Sequence, residues 1–283
     1  MLVLTPKLKN SNPEKQKKLH ETSEFELKRL YGIRSTKEGF SLCIYEIDAH
    51  RIRYVECMTQ IMLSPSTSLT QLPNSELFCF GSFPLSGATC IIDLKNFKVK
   101  RKLPDGISCH NSKGIYYKNS VYLFGGSNRW GTLNLAQKFD LVENRWSCLP
   151  LLPIASHRCS LVVYKEFILI CGNNHTCIYK YDLEIESYSE VPNISFPKYS
   201  NRILFTVNLR VYAVVNKVGI FESGELDENN WTLTSDNYFE AADTYIDFQE
   251  SIYFGWFLGY KSIYYKFSLQ EKRIEQLEPE SII

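Results

Sequence analysis

Apolar positions in this chain fall in short runs separated by polar breaks. Between Pro153 and Pro192 the apolar runs 159–164, 167–171, 178–181 and 188–191 are divided by Lys165-Glu166, by residues 172–175 and by residues 183–186. Runs this short, rich in Val, Ile, Tyr and Phe and bounded by turn residues, predict β-strands. No helical period is sustained over this region. Each such unit therefore reads as four strands.

The pattern repeats. The strand Val121-Tyr122-Leu123-Phe124-Gly125-Gly126 has weaker copies beginning at Leu77, Phe167, Val211 and Ile252, so that successive copies start 44, 46, 44 and 41 residues apart. Intervals of this size mark repeat architectures. A second element lies between the copies: Tyr45-Glu46, Ile92-Asp93, Phe139-Asp140, Tyr181-Asp182, Phe221-Glu222 and Phe267-Ser268. Another large apolar residue follows at a fixed offset in five of the six, at Ile52, Val99, Trp146, Tyr188 and Ile274. In the sixth it is displaced to Trp231 by the Asp227-Glu228-Asn229-Asn230 insertion. Proline-marked exits often follow, as at Leu103-Pro104, Leu149-Pro150 and Val191-Pro192. A four-stranded antiparallel unit is too small to bury its own faces. Stacked radially, such units form a β-propeller.

The continuous stretch from Val121 through Gly125-Gly126, Phe139-Asp140, Trp146, Leu149-Pro150 and Leu152-Pro153 to His157-Arg158 resembles the kelch repeat. That family combines an apolar strand ending in Gly-Gly, an aromatic residue followed by Asp, a Trp six or seven residues on, and a proline-rich exit. The resemblance extends from about Ser41 to Leu277. Elsewhere Gly81-Ser82, Cys171-Gly172, Val215-Asn216 and Trp256-Phe257 stand where the double glycine would be. A WD-repeat propeller is the rival, but none of Trp130, Trp146, Trp231 and Trp256 is followed by Asp. A sandwich of short strands is a further alternative, though it seldom keeps registered copies.

The expected fold is all-β, a kelch-type propeller of six four-stranded blades with an incomplete or atypical first blade. Six copies of the outer strand pair are visible, against five of the inner pair. Residues 41–56 give only an outer half-blade, and residues 25–32 are the candidate for an inner strand that completes it. The expected division is a charged lead-in over 1–38 and the propeller over 39–283. The lead-in interleaves Lys7, Lys9, Lys15, Lys17, Lys18, Lys28 and Arg29 with Glu14, Glu21, Glu24 and Glu26, and Asn12-Pro13-Glu14 is a possible helix start. A partly ordered lead-in and a partner-binding arm are both readings of it. It is too short for the BTB or F-box modules that often accompany kelch propellers.

A net charge of +1 supplies no field to draw nucleic acid or anionic membrane. The longest apolar stretches, such as 252–260, are too short to span a bilayer, and the apolar start at Met1 stops at Thr5-Pro6-Lys7, unlike a secretory signal. The nine cysteines lack Cys-x-x-Cys spacing, and Cys43, Cys79, Cys90, Cys159 and Cys171 occupy strand positions. They read as small buried apolar side chains in preference to a zinc site or redox pair. A reducing cytoplasm follows as the expected location. The sequons at Asn174, Asn193 and Asn230 then carry little meaning.

In an antiparallel blade the loop after the second strand and the loop entering the first lie at the same end. Together these loops form one face around the axis, and the resemblance implies that a protein partner binds there. Asn128-Arg129-Trp130 lies in the longest of them and combines residue types enriched at binding hot spots. Packing of Trp130 onto its own blade is the alternative. His110 and His157 open successive blades, with Arg158, Lys198 and Tyr199 nearby and His175 in another loop of the set. These residues either line a channel mouth or tie neighbouring blades together. Gly125, Gly126, Phe139, Asp140, Trp146, Tyr181 and Asp182 are read as structural. The expected function is a non-enzymatic, monomeric scaffold, such as a ubiquitin-ligase substrate receptor or cytoskeletal adaptor, without metal or cofactor. The alternative is a sugar epimerase, mutarotase or oxidase with its site at the channel mouth, to which His110 and His157 would contribute. No catalytic constellation emerges from spacing.

Overall fold

The computed structural model describes residues 29–36, 39–56, 63–82, 86–198, 200–223, 231–235, 244–248, 251–258, 261–278 and 280–282. These form six small antiparallel sheets arranged as a six-bladed β-propeller, with no helix among the described residues. Blade 1 holds β1 (Arg29–Thr36), β2 (Gly39–Glu46) and β3 (Arg51–Glu56). Blade 2 holds β4 (Ser68–Leu72), β5 (Glu76–Ser82), β6 (Ser86–Asp93) and β7 (Lys98–Leu103). Blade 3 begins with β8 (Lys113–Tyr117) and β9 (Ser120–Phe124), projects a small hairpin of β10 (Ser127–Asn128) and β11 (Gly131–Thr132), and ends with β12 (Ala136–Asp140) and β13 (Arg145–Cys148). Blade 4 comprises β14 (Ser160–Tyr164), β15 (Phe167–Cys171), β16 (Tyr179–Asp182) and β17 (Ser187–Glu190). Blade 5 comprises β18 (Arg202–Val207), β19 (Arg210–Val215), β20 (Gly219–Ser223) and β21 (Trp231–Ser235). Blade 6 comprises β22 (Thr244–Phe248), β23 (Ser251–Leu258), β24 (Lys261–Ser268) and β25 (Arg273–Leu277), and β26 (Glu280–Ile282) follows it.

The apolar cores lie between blades. Phe78, Phe80 and Leu103 of blade 2 meet Val121, Leu123 and Phe139 of blade 3. The next seam joins Tyr122 and Phe124 to Leu161, Ile168 and Tyr181, and the one after joins Val162 and Leu169 to Leu204 and Val211. Phe205 and Val214 pack on Ile252, Phe254 and Phe267. Tyr253 and Tyr264 of blade 6 then meet Leu30, Cys43 and Tyr45 of blade 1, and Ile33, Leu42 and Ile44 of blade 1 meet Leu77, Cys79 and Ile92 of blade 2. Six seams close the ring, each built from side chains worth about 1.5–3 kcal/mol apiece on burial.

The repeat elements have defined structural roles. In the hairpins joining the two outer strands, Asp140 Oδ1 accepts the amides of Val142 and Glu143, both at 2.9 Å, and Asp182 Oδ1 accepts those of Glu184 and Ile185. These amides hold the Asp140 carboxyl below the usual carboxylate range. Phe139 and Tyr181, which precede the acids, are fully buried. Trp146 packs at a tilt against Phe139 and Phe80 with centroids 5.0 and 5.2 Å away, and its indole donates to the Pro104 carbonyl at the exit of blade 2. Tyr188, its counterpart in blade 4, donates to the Pro150 carbonyl at 2.7 Å. The outer strand of one blade thus clasps the exit of the blade before it.

Blade 1 departs from the others. Leu30 pairs with Tyr45 as Leu77 pairs with Ile92, which places β1 in the second position of its sheet. Among the described residues no strand occupies the innermost position. The fourth strand lies on the outer edge, where β26 runs parallel to β3 with Glu280 opposite Arg51. Residues 25–28, part of the segment expected to supply an inner strand, lie outside the described residues. The strand that does form, Arg29–Thr36, comes from the segment read as lead-in.

Candidate functional site

On one face of the ring, backbone hydrogen bonds weld the loops of blades 2 to 4 together. Asn111 N donates to Ser66 O at 2.8 Å and Arg158 N to Asn111 O at 2.9 Å, so that the loops opening three successive blades are joined in series. His110 and Ser127 exchange a pair of backbone bonds at 3.0 and 2.8 Å, anchoring the foot of the β10–β11 hairpin. Gly126 N donates to Ser156 O at 2.8 Å, and Ser156 N to Leu133 O at 3.0 Å. The glycine pair makes this crossing possible. Gly125 and Gly126 hold φ of +67° and +116°, and a Cβ on Gly125 would stand 2.2 Å from Ser156 O.

This platform raises the hairpin tip. Asn128 Oδ1 accepts the Trp130 amide at 2.8 Å, and the Arg129 guanidinium lies over the Trp130 ring at 4.6 Å. Trp130 is 81% exposed. It therefore does not pack onto its own blade. Other exposed apolar side chains stand in the loops that open blades 3 and 4, with Ile107 at 47%, Leu151 at 60% and Ile154 at 39%. Sequence reading did not single these out. Their signal was an aliphatic residue inside a proline-marked exit, where strand pairing has no use for it. Gln137 fixes the segment carrying Ile107, its Oε1 accepting Ile107 N at 3.1 Å.

The histidines serve the scaffold. Asn173 Nδ2 donates to His157 Nε2 at 3.1 Å, leaving Nδ1 to donate to Thr132 Oγ1 at 3.3 Å, so His157 bridges blades 3 and 4. Burial, with the Arg158 and His110 charges nearby, pushes its pKa down. His110 is half-buried, with its pKa lowered by that burial. His175, read as a surface candidate, is 0% exposed. Its Nδ1 accepts Gly172 N at 3.0 Å, and its Nε2 donates to Ile154 O at 3.1 Å. It holds the Ile154 loop from beneath and cannot touch a partner. Arg158 and Lys198 are exposed on the loops opening blades 4 and 5, while Tyr199 lies outside the described residues.

Arg202, which the sequence did not mark, is buried where blade 5 begins. Its Nη1 donates to Gly172 O at 2.5 Å and its Nε to Ser200 Oγ at 3.0 Å, while Nη2 bonds Pro197 O. It ties blade 5 to blade 4 much as His157 ties blade 4 to blade 3.

A family model for the kelch motif matches residues 108–152, the stretch that runs from the loop opening blade 3 through its last strand to the proline exit. Blade 3 is a kelch motif within a six-bladed β-propeller, which supports a kelch-repeat propeller. No curated protein matches it significantly. Within the kelch repeat of blade 3, the glycine pair leads directly into the hairpin bearing Arg129 and Trp130. The eight described cysteines of the propeller are free thiols, six of them buried, and Cys57 lies outside the described residues. Burial pushes the Cys159 thiol up to about 12 and that of Cys171 to about 11, far from the reactive thiolate range. Among the described residues no three His, Cys, Asp or Glu side chains are grouped to hold a metal ion, and no helix is long and apolar enough to cross a membrane.

Proposed function

We propose that this kelch propeller binds a partner protein on the loop face of blades 2 to 4, centred on Trp130. Kelch propellers are commonly interaction scaffolds and typically non-enzymatic. The observation that carries the reading is the exposed Trp130, on a hairpin whose foot is fixed by the His110–Ser127 bridge, with Ile107, Leu151 and Ile154 also exposed in loops of the same set. An exposed Trp with an Arg over its ring has the make-up of an interface hot spot. Arg129 and Arg158 supply charge at its rim. Both ring nitrogens of His157, one of the two imidazoles considered for an enzymatic site, are engaged by Thr132 and Asn173.

The finer reading is an adaptor of the cytoplasm, either receiving substrates for a ubiquitin ligase or attaching to the cytoskeleton, and acting as a monomer. Proximity labelling with the wild type and with an Arg129→Ala, Trp130→Ala, Arg158→Ala variant tests the face. Partners should drop out of the variant's list while its thermal melt stays unchanged. Identical lists from the two folded proteins would overturn the assignment.

A further inference from the structure

A cleft of about 430 Å³ opens between blades 1 and 2 on the face opposite Trp130, where the turns after the first and third strands emerge. We propose that it binds a phosphate monoester. Its volume is of the size that takes small ligands.

The charge arrangement selects an anion. Glu46 at the end of β2 is already neutralised within the cleft: Arg51 Nε donates to its Oε2 at 2.5 Å and Arg29 Nη2 lies 3.1 Å from its Oε1. Arg53, Lys95 and Asp48 also line the cleft, so that four cations face two carboxylates there, and among the described residues neither Arg53 nor Lys95 is within ion-pair distance of a carboxylate. Arg53 instead sits over the Phe97 ring, 5.2 Å from its centroid. Phe97 holds φ of +58° in the β6–β7 turn, with its amide bonded to Asp93 O at 2.7 Å, and this turn presents the ring to the guanidinium.

Two cations without carboxylate partners call for a dianion more than for a carboxylate. A guanidinium presents a planar fork that matches phosphate oxygens, and a lysine adds a point charge. Phe97 and buried Leu94 give the cleft an apolar wall for the carbon body beyond the phosphate. The shared chemistry is R–O–PO₃²⁻, carried by a free phosphorylated small molecule or by a phosphorylated serine of a protein. The inference is independent of the partner site on the other face.

Isothermal titration with glycerol 3-phosphate, O-phosphoserine and a short phosphoserine peptide tests it, with glycerol and serine as blanks. The phosphorylated probes should bind saturably and the blanks should not. Arg53→Gln or Lys95→Gln should each weaken binding about tenfold, the scale of one charge-assisted hydrogen bond. Both side chains are exposed, so folding should be unaffected, which a melt would verify. Arg101→Gln, on β7 away from the cleft, should bind as the wild type does. Tighter binding of the peptide than of glycerol 3-phosphate would assign the site to a phosphorylated protein segment, and the reverse to a metabolite. Absence of saturable binding, or unchanged binding by both cleft variants, would overturn the proposal.

Discussion

His175 shows how one buried side chain couples the loop face to pH. Burial, reinforced by the Arg202 charge and opposed by the bond to Ile154 O, pushes its pKa down to about 4 from an ordinary 6.5. The unfolded chain therefore takes up this proton first. Stability from this residue is fully present above pH 6.5 and is lost as pH falls toward about 4, where the loss levels off. The shift corresponds to a loss on the order of 3 kcal/mol. Urea midpoints measured across that window should fall less steeply in His175→Asn than in the wild type. Parallel profiles would mean that the imidazole is solvated in solution. At this scale the sequence is only partly legible. Gly125-Gly126 announced a special backbone, but His50, Phe97, Asn144, Glu186 and Lys272 all hold left-handed φ between 47° and 58° at the same place in their hairpins. Five different residue types fill one conformation because the hairpin imposes it, so no residue pattern betrays it. His175 was misread for a related reason: a polar side chain between two strands looks exposed until the neighbouring loop closes over it.

Strands and hairpins were read more reliably than their contacts. The fixed offset from Phe139 to Trp146 and from Tyr181 to Tyr188 is cross-strand pairing, with each aromatic directly opposite its partner. The register therefore carried the period even where residue identity had drifted. What the offset concealed was the bond from each outer aromatic to a proline carbonyl in the preceding blade, 42 residues back for Trp146 and 38 for Tyr188. Tyr188→Phe keeps the ring and removes only that bond. It should cost about 1 kcal/mol, with more if the Pro150 carbonyl is left without a replacement donor. Chemical denaturation would measure it. A change within error would show that water supplies the lost donor. Blade 1 resisted reading because its sheet is assembled from both ends of the repeat region. Ile52 marked β3 as an outer strand, yet nothing near it in sequence indicates the parallel addition of β26.

For the whole molecule, the six-fold count was visible in the spacing of the aromatic-acid pairs. That two sets of loops share one face followed from antiparallel geometry, and which apolar side chains stand exposed on it did not. Ile107, Leu151 and Ile154 belong to irregular segments, where exposure depends on which loops cross above and below. The cleft between blades 1 and 2 was also invisible, since it joins Arg53 to Phe97 across a seam. That every apolar core lies at a seam has a further consequence. An open stack of repeats frays from its terminal units, each of which is held on one side only. A closed ring has no terminal unit: freeing any blade parts two seams at once, and the loss is shared around the circle. Amide exchange in the central strands should therefore be comparably slow in blades 1 and 6 and in blades 3 and 4, and protection that tapers toward blades 1 and 6 would show that the ring breathes at the Tyr45–Tyr264 seam.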